Sequence, residues 1–226
     1  MGVQPIAIAV HPEPKLGTRS DVPRALDVAE RVFAAVLLLL AFPFLATVAL
    51  ITAALSGQSP FVAHRRVGRN GQTIWVIKLR TMWERRAPCY RRMTLVERLV
   101  PECGVAIEIK SREDPRVTSR FASLCRRYSI DEVPQLWHVL CGEMSLVGPR
   151  PLTAQELHEH YGSVLSEVLS VKPGVTGLWQ VRGRSRLSYG QRRRLDLVLV
   201  RNWSLDLYLS ILMRTIPAVI AGKNAW

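Results

Sequence analysis

Twenty-four consecutive residues, Val32 to Leu55, carry no charge, including the unbroken aliphatic run Val36 to Leu40. A helix of that length would be about 36 Å long, against a hydrocarbon core of about 30 Å. Few core helices of soluble proteins stay uncharged for so long, so the segment is predicted to meet lipid. A secretory signal peptide does not fit, because the apolar run is too long and begins only after 31 residues that include acidic ones. Pro43 stands at the twelfth of the 24 positions. In a helix interior it removes a hydrogen bond and clashes with the preceding turn, which predicts a kink or a break. Arms of 11 and 12 residues would each reach about 17 Å, roughly half the bilayer, so a kinked span and a hairpin are both allowed. His64, Arg65, Arg66 and Arg69 mark the following side as cytoplasmic, whereas Arg24 and Arg31 before it are offset by Asp27 and Glu30.

The remaining pattern predicts a tail over residues 1–23, which contain four prolines and no helical period. Residues 24–31 begin the membrane helix, and Ser59-Pro60 returns the chain to the surface. Asn70-Gly71 between Arg65–Val67 and Thr73–Leu79 predicts a β-hairpin. Residues 83–113 are charged and irregular, with a helix expected near Thr94 to Val100. Phe121, Leu124 and Tyr128 have helical spacing within Arg116 to Cys141, interrupted at Pro134. A helix is predicted from Thr153 to Leu169, and loop with short strand over Lys172 to Arg184, where Gly174, Gly177 and Gly183 recur. Trp203 to Ile220 is apolar apart from Asp206 and Arg214, with Ser204 as N-cap. At 18 residues, broken by Pro217, it reads as a helix lying in the interface or on the core rather than a second span. The division is therefore tail 1–23, membrane segment 24–58 and a body 59–226.

Charge and cysteines narrow the partners. Lys and Arg outnumber Asp and Glu by 31 to 18, a net +13 that suits phospholipid head groups, nucleic acid or a phosphorylated small molecule. No long Lys/Arg run resembles a nucleic-acid arm. Cys89, Cys103, Cys125 and Cys141 are scattered without a C-x-x-C pair, as expected of reduced thiols in a cytosol-facing body. Trp203 and Trp226 suit a head-group layer, and Trp75 and Trp137 read at least as well as core residues.

The central chemical feature is Ser129-Ile130-Asp131-Glu132-Val133-Pro134-Gln135-Leu136. Ser129 and Glu132 have capping-box spacing, although Pro134 fits a regular first turn poorly. The alternative is a catalytic carboxylate pair, one attacking phosphorus while the other holds a divalent cation or a water. Arg126 and Arg127 would supply the positive charge that keeps both ionised. Pro149 and Pro151 flank Arg150 and fix how its guanidinium is presented. The Lys172–Arg184 block mixes glycines with basic side chains, a candidate phosphate cradle of backbone amides and guanidinium groups. Lys78 and Arg80 share one face of a strand by their spacing of two. His158 and His160 lack a third ligand for a metal.

Taken together, six stretches resemble the bacterial sugar transferases of the monotopic phosphoglycosyl transferase family. They are Arg65 to Gly71, Lys78 to Met82, Asp114 to Thr118, the Asp131-Glu132 block, Gly142 to Leu152 and Lys172 to Arg184. Their order within residues 24–220 carries the specificity. The resemblance implies a compact, mostly helical α/β membrane-associated domain on a re-entrant membrane helix hairpin broken at Pro43, with a small β-hairpin and interfacial amphipathic helices. It implies the small, minimal type of the family, on the cytoplasmic face of the bacterial inner membrane.

The same resemblance implies a Mg²⁺-dependent, ping-pong phosphoryl transfer. Asp131 would attack a UDP-sugar to release UMP, and undecaprenyl or another polyprenyl phosphate would take the phosphosugar, initiating exopolysaccharide, O-antigen or glycoprotein glycan assembly. Glu132, with Asp131, would bind the metal. Arg126 matches a phosphate-contacting arginine. Lys78, Arg80, Arg150 and Arg184 match basic positions around the diphosphate, Gln180 lies in the same substrate block, and Asp196 matches the acid of a Leu-Asp pair. Membrane lipid is an implied partner, nucleic acid is not, and a homodimer is left open. The chain departs from the family pattern at Phe42-Pro43, where Ser-Pro is common, at Arg182-Gly183-Arg184, where Asn-Gly-Arg is common, and at Arg193-Arg194, where an acid is frequent. The competing reading is a non-catalytic membrane adaptor with a basic face, which leaves the Asp-Glu pair unexplained.

Overall fold

A computed structural model describes residues 23–83, 117 and 119–222. The tail through residue 22, the helix expected near Thr94, the Asp114–Thr118 stretch apart from Val117, Cys89, Cys103 and Trp226 lie outside the described residues.

Helix α1 runs from Arg24 to Ser56 and stops at Gly57, whose left-handed backbone (φ 65) returns its N–H to the Ala53 carbonyl. Pro43 lies inside this single helix of 33 residues rather than separating two. Proline removes one intrahelical donor, and the Thr47 hydroxyl donates back to the Pro43 carbonyl at 2.9 Å. The expected division persists in packing instead. Glu30 and Ala34 are buried on one flank, Leu45, Val48, Ala49 and Thr52 on the other, and Leu39 between them is 76% exposed. Only 11% of the most apolar 18-residue stretch is buried in the body, which excludes an ordinary core helix.

Strands β1 (Phe61–Val67) and β2 (Thr73–Leu79) form the predicted antiparallel hairpin, with β1 starting four residues earlier than the sequence suggested. Asn70 (φ 55) and Gly71 (φ 80) supply the positive φ angles of the turn. Helix α2 (Arg120–Arg127) is capped by Ser119, whose side chain accepts from the Ala122 N–H. A 3₁₀ turn, Ile130–Gln135, then absorbs Pro134 before the short helix α3 (Leu136–Leu140). The interruption therefore begins at Ser129, five residues ahead of the proline.

Strand β3 (Ser145–Val147) leads to α4 (Ala154–Tyr161), opened by a Thr153–Glu156 capping box. The helix predicted to reach Leu169 is broken at Gly162 (φ 46) and resumes as α5 (Leu165–Val168). Strand β4 (Gly174–Thr176) pairs in parallel with β3. Helices α6 (Leu178–Arg182) and α7 (Tyr189–Arg201), neither anticipated from the pattern, precede α8 (Leu205–Ala221), capped by Ser204 as expected and continuing through Pro217.

The main core joins Ala34 of α1 to Ile74 and Val76 of β2, Leu146 of β3, Leu199 of α7 and Ile211 of α8. Glu30 ties the base of α1 into it: Oε1 accepts from Ser145 Oγ at 2.6 Å, Leu146 N at 2.9 Å and the Tyr208 hydroxyl at 2.5 Å. A second cluster packs Val48 and Ala49 of α1 on Leu79 and Cys125, with Ile130 against it. Residue 130 thus rests on the apolar helix immediately before Asp131. On α8, Tyr208 and Ile211 face inward while Leu205, Leu209, Met213, Ile216 and Ile220 form an exposed apolar stripe, the amphipathic pattern of an interfacial helix.

Candidate active site

The Asp131–Glu132 pair occupies the 3₁₀ turn, entered through Ser129 in a left-handed conformation (φ 55). Ser129 makes no side-chain cap, so the capping-box alternative does not hold. Glu132 turns instead to two cations from distant segments. Its Oε1 accepts from Lys78 Nζ on β2 and from Arg150 Nη2, both at 2.9 Å. Asp131 lies in the field of the same two cations. Burial, with the Asp131 charge behind it, pushes the Cys125 thiol up to about 11. Burial also pulls the Lys78 ammonium below its usual value, whereas Glu132 holds the Arg150 guanidinium above its own.

Arg150 owes its position to two interlocked motifs. A Cβ on Gly174 would come within 2.0 Å of Gly148 N, and one on Gly148 within 2.6 Å of the Lys172 carbonyl. Only glycine lets these backbones approach so closely. The amides are spent in the approach, Gly148 N–H donating to the Thr176 carbonyl and Gly174 N–H to the Pro149 carbonyl. The amides of Gly148 and Gly174 are therefore not free to cradle a phosphate; Gly174 and Gly177 pack against Gly148 instead.

The other expected residues fall into two groups. Arg126, in the last turn of α2, has a buried Nε with no hydrogen-bond partner among the described residues. Arg184 (φ 50) donates from Nε to the Gln180 carbonyl at 3.4 Å and keeps Nη1 buried without a hydrogen-bond partner among the described residues; burial lowers its pKa against the pull of Glu132. Gln180 donates to the Val175 carbonyl and leaves Oε1 buried without a hydrogen-bond partner among the described residues. Such orphaned polar atoms are costly unless a ligand or water satisfies them. Arg80 sits just past β2, its Nε donating to the Ser59 carbonyl at 2.7 Å while Lys78 reaches Glu132. Asp196 departs from expectation. It has no exposed surface, accepts from the Tyr161 hydroxyl at 2.7 Å, and stands behind the site in the field of Arg150 and Arg192 rather than at a substrate surface.

Trp179 and Arg192 were not singled out from the sequence. The Arg150 guanidinium lies 5.9 Å from the Trp179 ring centroid, and Arg192 lies 4.9 Å from the same ring and 5.0 Å from that of Tyr189. Tyr189 in turn stacks on His160, ring centroids 3.9 Å apart. The indole thus carries two guanidinium groups by cation–π attraction, steadying Arg150 beside Glu132. The signal for Arg192 was its place four residues before Asp196, one turn along a helix that the hydrophobic pattern concealed.

Among the described residues no three His, Cys, Asp or Glu side chains converge as a metal cage. The hard oxygens of Asp131 and Glu132 nevertheless suit Mg²⁺, which typically binds one or two carboxylates together with substrate phosphates. A carboxylate pair ringed by cations is an arrangement for binding and transferring a phosphoryl group.

Comparison with known proteins agrees. The chain is 40% identical over 193 residues to the exopolysaccharide production protein ExoY of Rhizobium meliloti, covering 85% of this chain and 84% of that one. It is 36% identical over 170 residues to the undecaprenyl-phosphate galactose phosphotransferase of Salmonella typhimurium, covering 75% of this chain and 35% of that larger protein. It is 32% identical over 205 residues to the UDP-glucose:undecaprenyl-phosphate glucose-1-phosphate transferase of Xanthomonas campestris, covering 87% and 39%. Residues 21–222 match the model of the bacterial sugar transferases, and the chain belongs to that family.

Proposed function

We propose that this protein transfers a sugar 1-phosphate from a UDP-sugar to undecaprenyl or a related polyprenyl phosphate, initiating a cell-surface glycan. The observation that carries the reading is Glu132 held between Lys78 and Arg150 with Asp131 adjoining it. The relatives' names supply the substrate classes.

In the first half-reaction the Asp131 carboxylate attacks the β-phosphorus. The bond from that phosphorus to the bridging oxygen breaks, and UMP leaves with the oxygen. The phosphosugar is then an acyl phosphate on Asp131. In the second, a phosphate oxygen of the polyprenyl phosphate attacks the same phosphorus, the Asp131–phosphorus bond breaks, and the carboxylate returns. Lys78, Arg150, Arg126 and Arg184 neutralise the diphosphate oxygens. Glu132 keeps Lys78 and Arg150 charged and aimed. Mg²⁺, held by Glu132 and Asp131 with the diphosphate, would supply further charge neutralisation on the phosphate oxygens.

The exposed apolar surfaces of α1 and α8 would hold this site at the cytoplasmic face of the inner membrane, and Ile130 packed on the α1 cluster would set the depth of Asp131. The decisive experiment measures UMP release from a panel of UDP-sugars with Mg²⁺ and undecaprenyl phosphate. Asp131→Asn should abolish release, and turnover retained in that variant would rule out Asp131 as nucleophile.

A further inference from the structure

The two sides of the β1–β2 hairpin differ in chemistry. Alternation along β2 sends Ile74, Val76 and Lys78 to the body and Trp75 and Ile77 to the opposite side. Ala63 is paired with Ile77, and so shares that side. Between it and the middle of α1 lies an open cavity of about 650 Å³, lined throughout by apolar side chains, including Phe42 and Ala46 of α1 and Pro134 of the catalytic turn. Trp75 and Trp137, read from sequence at least as readily as core, are 44% and 52% exposed and line it instead.

We propose that this groove holds the phosphate-proximal isoprene units of the polyprenyl acceptor. The inference rests on the transferase reading above and adds to it where the lipid chain lies. Continuity with the site selects the occupant. Pro134 lines the groove and follows Asp131 by three residues, about 6 Å along a 3₁₀ axis. Ala49 and Phe61 line it and also pack in the cluster that holds Ile130, the residue before Asp131. A chain in the groove therefore ends at the edge of the catalytic turn, with its anionic head beside Asp131. The lining also sets small residues, Ala46 and Ala63, among bulky rings. A volume of this size accommodates the first units only, leaving the rest of the chain in the bilayer.

Ala63→Trp and, on the opposite wall, Ala46→Trp would each obstruct the groove without touching the polar site. In lipid nanodiscs, two quantities separate the half-reactions: the UMP released in a single turnover without acceptor, and the KM for undecaprenyl phosphate at saturating UDP-sugar. The expected result is a UMP burst within twofold of wild type and an acceptor KM raised at least tenfold. Phe42→Ala, which widens the groove, should raise the KM without altering the burst, and it covers the case in which a tryptophan variant does not fold. An unchanged acceptor KM in the folded variants, or one unchanged while vesicle flotation is lost, would overturn the proposal and leave the groove to bulk acyl chains. A wild type without an acceptor-independent burst would instead overturn the aspartyl intermediate, and the acceptor KM would still judge the groove.

Discussion

The Tyr161 hydroxyl donates to Asp196 Oδ2 at 2.7 Å, with both side chains buried behind the catalytic cations. Burial pushes the Asp196 carboxyl up to about 7, against the opposing pull of the Tyr161 hydrogen bond and the charges of Arg150 and Arg192. Between about pH 4 and pH 7 the folded protein therefore keeps a proton that the unfolded chain has released. Stability from this group is greatest at or below pH 4, falls as pH rises towards 7 and levels off above it. Asp196→Asn removes the titration while leaving an amide oxygen for Tyr161. Denaturant unfolding between pH 5 and pH 8 should then show a decline on the order of 2 kcal/mol in wild type that is absent from the variant. Parallel slopes in the two proteins would locate that ionisation elsewhere.

Lys78 and Glu132 make unequal demands on the fold. Glu132 sits between two cations, so Glu132→Gln leaves Lys78 and Arg150 facing one another in a poorly solvated site. Breaking a buried ion pair from one side costs about 3–5 kcal/mol, and partial exposure of these side chains reduces that here to roughly 2 kcal/mol. Lys78→Met removes a cation that burial already disfavours and leaves Glu132 paired with Arg150. Its stability should fall by less than about 1 kcal/mol. Both variants should lose at least about a hundredfold in UMP release, because charge neutralisation of the diphosphate is lost in each. Urea unfolding and UMP release measured side by side test the contrast; equal destabilisation would show that Lys78 and Glu132 bear the structural load alike.

These contrasts mark what could be read from residues alone. The hairpin around Asn70-Gly71 and the Ser204 cap were legible because turn and cap chemistry is local. The Asp131–Glu132 pair was legible as chemistry, but its partners were not. Lys78 and Arg150 lie 54 and 18 residues away from Glu132, and only tertiary contact joins them. The glycines at 148 and 174 read as loop signals because their use, a close crossing of two backbones, leaves no periodic trace. Helix α7 was hidden by Arg192-Arg193-Arg194, which blurs its apolar face, and with it went the stack on Trp179. Asp196 was picked out by family resemblance as a site acid, and its complete burial shows that matching a motif does not say whether a residue touches substrate.

How α1 meets the bilayer follows from its length and from what its two flanks touch. At 33 residues the helix would measure about 50 Å if straight, well beyond a hydrocarbon core of about 30 Å. Residues on both sides of Pro43 pack on one body: Ala34 with the main core, Val48 and Ala49 with the cluster that includes Leu79 and Ile130. A straight span would carry one flank through the membrane and away from that body. Packing of both flanks favours a segment that dips into one leaflet with Leu39, Leu40 and Phe42 deepest, and with both chain ends in the cytoplasm. Cysteine-accessibility labelling of tags at the two termini should give reaction with both only after the inner membrane is permeabilised. Pro43→Leu restores the missing donor and lowers the cost of a straight helix, so a fraction of that variant should expose its N-terminus to the periplasm. A wild-type N-terminus labelled in intact cells would restore the full span, and it would put Glu30 on the far side of the membrane from Ser145, where its 2.6 Å hydrogen bond could not form.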